Sequence, residues 1–185
     1  MKFTFNPKKT AQAAAIQLQR SGGDMDNFLF IKMLYLADRK AIEKWEEPIT
    51  GDAAASMEYG PVLSNVYDLT KGDCPGGRTH WEPFIGDADE QSNRVVLRSN
   101  PGVDELSKAE IAILETVHDH FRDYTWKQMC DYCHTLPEYE NVGRGSQPIR
   151  TETILKAVGR TDAEVADAAR RHWEISVADA LLRSR

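Results

Sequence analysis

Residues 27–45 read NFLFIKMLYLADRKAIEKW, and this stretch decides the fold. Asp26 stands at its start and Pro48 lies beyond its end, which predicts a helix that opens near Asp26 and runs to Trp45. At about 100° per residue, apolar side chains fill one arc of this helix. The charged side chains that gather on the other side are Lys32, Arg39 and Glu43. We therefore expect the apolar arc to face a core.

Asp38 falls in the middle of that apolar arc. An unpaired carboxylate buried there would cost several kcal/mol, so Asp38 must have partners. We expect a helix N-terminus, a Tyr hydroxyl or an Arg to satisfy it. Two interpretations stay open. Asp38 is either a buried structural residue whose hydrogen bonds fix how the helices pack, or a carboxylate at a partner-binding or catalytic cleft.

Helical signals recur along the rest of the chain. Thr10 can cap a helix from Ala11 to about Arg20, and Pro61 suits the first position of a helix that Gly72 closes. Capping boxes, in which a Ser or Thr precedes a Glu or Gln by three residues, predict three further helix starts. They are Ser107 with Glu110, Thr125 with Gln128, and Thr161 with Glu164.

The segment between Gly72 and Ser107 does not show the helical pattern. THWEPFI (79–85) and RVVLRS (94–99) are rich in β-branched and aromatic residues and flank an acidic loop. This pattern predicts a two-stranded ribbon. The predicted fold is therefore mainly α: a single compact helical domain with a small two-stranded β-ribbon inserted midway, at about residues 78–99. We expect residues 1–160 to form this domain and residues 161–185 to form a C-terminal helix that packs on it or extends it.

The stretch MCDYCHTL (129–136) contains the order C-x-x-C-H, which is typical of haem attachment and, in part, of zinc sites. Cys130 and Cys133 are neighbours on one helical face. A zinc site needs two more ligands, and His118 is the weak candidate, with His80 from the ribbon as a fourth. A thiol nucleophile beside His134 is disfavoured because adjacent helical residues diverge. Two buried apolar thiols are the simpler interpretation, so no cofactor or metal is predicted.

The composition narrows the class of protein. The chain has 185 residues, a net charge of −6 and three cysteines. The acidic balance makes a nucleic-acid partner unlikely, although the first twenty residues are basic. No apolar run is long enough for a membrane span or a signal peptide, so we expect a cytoplasmic protein with free thiols and no membrane partner.

Tyr59, Gly60 and Pro61 form a third distinctive group. Gly60 precedes a proline, which disfavours the helical region, and glycine also allows a positive φ. A turn here would place Tyr59 at the opening of the cleft between the second and third predicted helices. It is either a structural corner or an exposed anchor for a protein partner.

At these residues the chain resembles the Panacea (SocA-like) antitoxin domain family. The resemblance rests on KMLYLADRKAIEKWEEPITG (32–51), MEYGPV (57–62), VYDLTKG (66–72), LSKAEIAILETVHDHF (106–121) and CHTLPEYEN (133–141). It covers about residues 10–160. Cys133 stands where the family often has Ser or Thr, and Tyr139 stands near the usual Trp. By this resemblance His134 belongs to a His-x-x-Pro signature, and the haem-like spacing is a coincidence.

The resemblance implies an antitoxin, not an enzyme, that neutralises a cognate protein toxin by direct binding and is encoded beside it, often on a prophage or mobile element. The alternative is a proteolytic adaptor that delivers a toxin to an AAA+ protease. A zinc- or thiol-dependent enzyme is the weaker third hypothesis. The predicted partner-binding or motif residues are Tyr35, Asp38, Arg39, Tyr59, Gly60, Pro61, His134 and Pro137.

Overall fold

The computed structural model describes residues 1–88 and 91–183. Within these ranges the chain forms eight helices and six strands. In chain order they are α1 (Pro7–Arg20), β1 (Asp24–Asp26), α2 (Asn27–Trp45), β2 (Ala54–Met57), β3 (Gly60–Leu63), α3 (Ser64–Leu69), α4 (Pro75–Trp81), β4 (Ile85–Gly86), β5 (Arg94–Leu97), α5 (Lys108–Phe121), α6 (Trp126–His134), β6 (Ser146–Ile149), α7 (Thr151–Ala157) and α8 (Asp162–Arg183).

α2 is the central helix. It packs against α1, α5, α6, α7 and β3. Residues 30–38 are all buried, and because a helical turn takes 3.6 residues, every side of this part of the helix is covered. The helix begins and ends as predicted, and the Asp26 side chain caps it by accepting from the Leu29 amide at 3.1 Å. The predicted charged side is not a solvated face, however, because Lys32 is only 1% exposed.

The predicted fold class is wrong. Besides the helices, the chain forms two three-stranded antiparallel sheets, with strand orders β1-β5-β4 and β3-β2-β6. A single helical domain with one two-stranded ribbon does not describe this architecture. The error has two local causes, one in each sheet.

The first cause lies at Pro61, which was expected to start a helix. It lies in β3 instead, opposite Ser56 of β2, and the helix begins only at Ser64. β3 is an edge strand, where proline's missing N–H leaves no ladder hydrogen bond unmade. β6 forms the other edge and also contains a proline, Pro148. Edge strands interrupted by proline have weak sequence signals, so this sheet escaped prediction.

The second cause lies in the predicted ribbon. The second run, RVVLRS, contains β5 as expected, and β5 pairs with β4 as the ribbon requires. The first run is mostly not a strand, because α4 ends at Trp81 and β4 is only two residues long. β1 then pairs with the other side of β5, placing Asp24 opposite Val96. This third strand is too short to give an alternating pattern.

The predicted helix caps are mostly correct. All three predicted capping boxes are present with reciprocal hydrogen bonds: those at Ser107 and Thr125, and that of Thr161 and Glu164 before α8. The predicted start of α1 is wrong by one turn. Asn6 caps that helix by accepting from the Lys9 amide at 3.0 Å, with proline at the first helical position.

α8 differs from the other helices in its exposure. Its first half packs against α7, and Arg171 pairs with Glu46 at 2.6 Å. Its second half carries large apolar side chains that are exposed to solvent, namely Trp173, Ile175, Val177, Leu181 and Leu182. Over the described part of the chain, no helix combines the length and apolar character that a membrane span requires.

Gly60 gives a test of the β2–β3 corner. Its φ is +99°, and a Cβ added there would lie 2.6 Å from the Cys133 Cβ on α6. Gly60→Ala should therefore lower the free energy of unfolding in urea by about 2 kcal/mol more than Gly23→Ala. Gly23 is the matched control because its φ is +108° but its added Cβ meets nothing within 4 Å. Equal losses for the two variants would show that the corner does not pack tightly against α6.

Candidate partner-binding site

The polar residues of α2 each hold a different segment of the chain. The Lys32 ammonium donates to the carbonyl oxygens of Gly60 at 2.8 Å and Pro61 at 2.9 Å. These bonds fix the β2–β3 corner against the middle of α2. Burial lowers the pKa of Lys32 to about 8. The lysine was assigned to a charged helix face, so its role as an internal donor was missed.

Asp38 holds the loop that follows α2. Its Oδ1 accepts from the amides of Ile49 at 3.0 Å and Thr50 at 3.1 Å, and its Oδ2 accepts from the Thr50 hydroxyl at 2.5 Å. The carboxylate is buried as predicted. Its partners are loop groups and not the helix N-terminus, Tyr or Arg that we expected. Burial raises the pKa of Asp38 to about 7, although these hydrogen bonds act in the opposite direction.

Tyr35 and Arg39 converge on Glu138, which follows α6. The Tyr35 hydroxyl donates to Glu138 Oε1 at 2.8 Å, and Arg39 Nε donates to the same oxygen at 2.5 Å. Arg39 also reaches Oε2 at 3.3 Å. The Glu138 side chain is fully buried. Glu138 was not among the predicted site residues, and its only sequence signal is its place directly after Pro137 in the CHTLPEYEN motif.

The two α6 thiols are buried, and the exposed His134 contacts other groups of the chain. His134 stacks on Tyr139 with ring centroids 4.6 Å apart, and both side chains contact the Glu58 carbonyl oxygen, at 3.2 and 3.0 Å. Cys130 Sγ lies 3.6 Å from His134 Nε2. Burial raises the pKa of Cys133 to about 12 and also raises that of Cys130. Both thiols are therefore protonated and weakly nucleophilic near neutral pH.

His118 lies apart from the two cysteines. Its Nε2 is 3.0 Å from the Ser21 hydroxyl and its Nδ1 is 3.4 Å from Asp119 Oδ1. The weak alternative metal set of Cys130, Cys133 and His118 is thus not brought together, and no three His, Cys, Asp or Glu side chains of the described residues are grouped as metal ligands.

Ser21 contacts His118, which contacts Asp119, as in the Ser-His-Asp triad of hydrolases. The groups around this serine do not suit hydrolysis, however. The amides of Gly22 and Gly23, next to the serine, both donate to backbone carbonyls of α1. They are therefore not free to stabilise an oxyanion. The serine hydroxyl also lies 3.0 Å from the Gln17 carbonyl oxygen, which competes with the histidine for its proton.

Three aromatic side chains form a surface beside the β2–β3 corner, which we call the aromatic patch: Phe28, Tyr59 and Trp126. Tyr59 is 48% and Trp126 49% exposed. Their ring centroids are 5.7 Å apart, and the Phe28 ring lies 5.4 Å from Trp126. Tyr59 was predicted as a possible anchor. Trp126 was not identified, because its helix position gives no indication that it faces Tyr59.

An open cavity of about 360 Å³ lies beside the patch. It is lined mainly by apolar and aromatic side chains, with Lys32, Glu58 and Arg144 as the charged members. Its remaining lining residues are Phe28, Ile31, Met57, Tyr59, Val62, Tyr67, Gly143 and Gly145.

The predicted site residues therefore fall into separate groups. Tyr59, Gly60, Pro61 and His134 lie together at the corner. Tyr35 and Arg39 meet at Glu138, and Asp38 holds the loop after α2. Pro137 is exposed between His134 and Glu138.

Comparison with known proteins identifies the family. The family model described as "Antitoxin SocA-like, Panacea domain" matches residues 30–139, which is more than half of the chain. The chain belongs to this family, and the resemblance that its motifs suggested is confirmed. The match includes α2 from residue 30, the β2–β3 corner, α6 and Glu138, but not α1, α7 or α8. Neither curated proteins nor solved structures gave a match.

The buried Asp38 predicts a dependence of stability on pH. Because its pKa in the folded protein lies above the value of 3.8 for an ordinary Asp, the folded state binds an extra proton between about pH 4 and pH 7. Stability should fall across this window as pH rises, relative to Asp38→Asn, by several kcal/mol. Urea unfolding of both proteins at a series of pH values measures this difference. A difference that grows in favour of the wild type as pH rises would instead mean that the hydrogen bonds keep the carboxylate ionised.

The buried Glu138 gives a second test. Glu138→Gln keeps the size of the side chain but leaves the Arg39 guanidinium without its counter-charge, so it should lower the free energy of unfolding by about 3 kcal/mol. Asp131→Asn is the matched control, since it breaks only the exposed pair with Lys127 and should cause no measurable change. If Glu138→Gln and Asp131→Asn changed the free energy of unfolding equally, a structural role for the Arg39–Glu138 ion pair would be contradicted.

Proposed function

We propose that this protein is a cytoplasmic antitoxin that neutralises a cognate protein toxin by binding it directly through the aromatic patch. The observation that carries this proposal is the exposed pair of Tyr59 and Trp126, on a chain that belongs to an antitoxin-like family. Clustered exposed aromatics on a monomer are typical of protein-binding surfaces.

The placement of the patch supports a role in binding. Tyr59 stands in the turn of the β2–β3 hairpin, whose next residues are fixed by the buried Lys32. Trp126 is the first residue of α6, directly after the Thr125 cap. Both rings are therefore carried by ordered backbone, so little conformational entropy is lost when a partner covers them.

The motif residues support binding over catalysis. Lys32, Tyr35, Asp38 and Arg39 make their hydrogen bonds to other parts of the chain, and their partners are the corner, Glu138 and the loop after α2. The thiols are protonated near neutral pH. A net charge of −6 would also steer a basic toxin towards the protein.

A proteolytic adaptor is the second candidate, and one observation favours it. An adaptor must contact both its toxin and an AAA+ protease, and α8 offers a second exposed apolar surface. Trp173 is 64% exposed, and α8 lies outside the matched family region. Its described contacts include α7, the N-terminal residues and Glu46, which lie outside the aromatic patch.

Co-expression with the neighbouring gene product tests the antitoxin proposal. Growth should be arrested by the toxin alone and restored by this protein. Trp126→Ala and Tyr59→Ala should each weaken toxin binding about 30-fold or more, as measured by calorimetry, because both are expected hot spots. Trp173→Ala is the matched control, an equally large exposed aromatic outside the patch, and should leave toxin binding unchanged.

The results also separate the two candidates. A toxin that stays active and unbound in the presence of this protein would contradict both. A toxin half-life that shortens when this protein is present, and recovers with Trp173→Ala, would favour the adaptor. An unchanged half-life with full neutralisation favours sequestration.

A further inference from the structure

Lys32 is a buried cation without a counter-charge. It is 1% exposed, and both of its hydrogen-bond acceptors, the Gly60 and Pro61 carbonyl oxygens, are neutral. Among residues 1–88 and 91–183, no carboxylate forms an ion pair with it. Buried charges in proteins are normally paired, so this arrangement is unusual.

The ammonium also has an unused donor. It carries three N–H groups, and the two carbonyls take two of them. The nitrogen lies 5.1 Å from the centroid of the Phe28 ring, a cation–π contact that compensates only part of the lost hydration. Phe28 and Lys32 both line the cavity beside the aromatic patch. A buried cation without a counter-charge is therefore one of the residues that line an open, mostly apolar pocket.

A second cation lines the same pocket. Arg144 lies between Gly143 and Gly145, and all three residues line it. The opposing charge is Glu58, which lines the pocket but forms no ion pair with Lys32. The apolar lining, with Phe28 and Tyr67 among its members, suits an aromatic or aliphatic group.

We propose that this pocket binds a carboxylate attached to an apolar group, supplied by the toxin, with Lys32 as its counter-ion. The inference rests on the proposed function for the source of the carboxylate, but the pocket's preference for an anion does not depend on it. Arg144 adds a second positive charge at the pocket, and Phe28 and Tyr67 pack against the apolar part. A partner carboxylate would supply the counter-charge that Lys32 lacks, and the bound toxin would exclude water from the open pocket and so strengthen the charge pairing. The lowered pKa of Lys32 is consistent with the missing counter-charge.

A small probe tests the pocket without any toxin. 3-Phenylpropionate carries a ring and a carboxylate, and 3-phenylpropanamide is its neutral isostere. Each is titrated into ¹⁵N-labelled protein, and the shifts of the Gly143, Gly145 and Tyr59 amides are followed by NMR. The acid should bind about tenfold or more tightly than the amide. Equal affinities, or no shifts for either compound, would overturn the proposal.

Variants assign the preference to Lys32. Lys32→Met should bring the affinity for the acid down to that for the amide and leave the amide unaffected, whereas Glu58→Gln should tighten binding of the acid. Arg122→Gln, an exposed basic residue outside this pocket, is the control and should change neither affinity. If Lys32→Met does not fold, Arg144→Gln replaces it and should weaken the acid selectively. Acid preference that persists in both variants would contradict the assignment.

The toxin assay then separates the two proposals. Weakened toxin binding in Arg144→Gln, which leaves the Lys32 bonds to the corner in place, together with acid preference in the wild type, supports the site as part of the interface. Acid preference with unchanged toxin binding would contradict the toxin as the source of the carboxylate. Failure of the wild-type protein to neutralise its toxin would refute the proposed function but leave an anion-binding pocket established by NMR.

Discussion

α2 is buried on every side along residues 30–38, and this burial determines how the other segments pack. A helix in this position must be mostly apolar, and each polar group that it carries needs a partner inside the protein. Lys32, Tyr35, Asp38 and Arg39 all meet this requirement through long-range hydrogen bonds. They join α2 to the β2–β3 corner, to the segment after α6 and to the loop after α2, and in this way determine how these segments pack.

This arrangement separates structural residues from those available to a partner. The motif side chains on α2 are covered, and their bonds lie within the chain. Exposed side chains lie close to these covered residues: Tyr59 is carried by the corner that Lys32 fixes, and Trp126 lies at the start of α6 beside it. A rigid scaffold that presents a separate binding surface is a general solution for proteins that act by recognition. Lys32 has both a structural and a surface role, since it holds the corner and also lines the cavity.

The sequence predicted those features that depend on local patterns. The bounds of α2, the cap at Asp26, the boxes at Ser107 and Thr125 and the burial of Asp38 follow from helical periodicity and from side chains within a turn of each other. The exposed Tyr59 and the resemblance to the family were also identified from the residues.

The sequence did not predict features that depend on tertiary pairing. β2 is made of AASM, which has little strand propensity, and it forms because β3 and β6 supply partners on both sides. The burial of Lys32 depends on α6 and the corner packing over a side of α2 that looks solvated on a helical wheel. Trp126 and Glu138 gain their positions from contacts 67 to 103 residues away in sequence, such as the bond between Glu138 and Tyr35.

We propose that α2 organises the fold while the aromatic patch binds the toxin. Hydrogen exchange of the free protein and of its complex with the neighbouring gene product tests both parts in one measurement. In the free protein the α2 amides should be the slowest to exchange. In the complex, new protection should concentrate at residues 57–62, 126–134 and 143–145. Protection confined to α8, or α2 amides that exchange as fast as the exposed loops, would contradict the account.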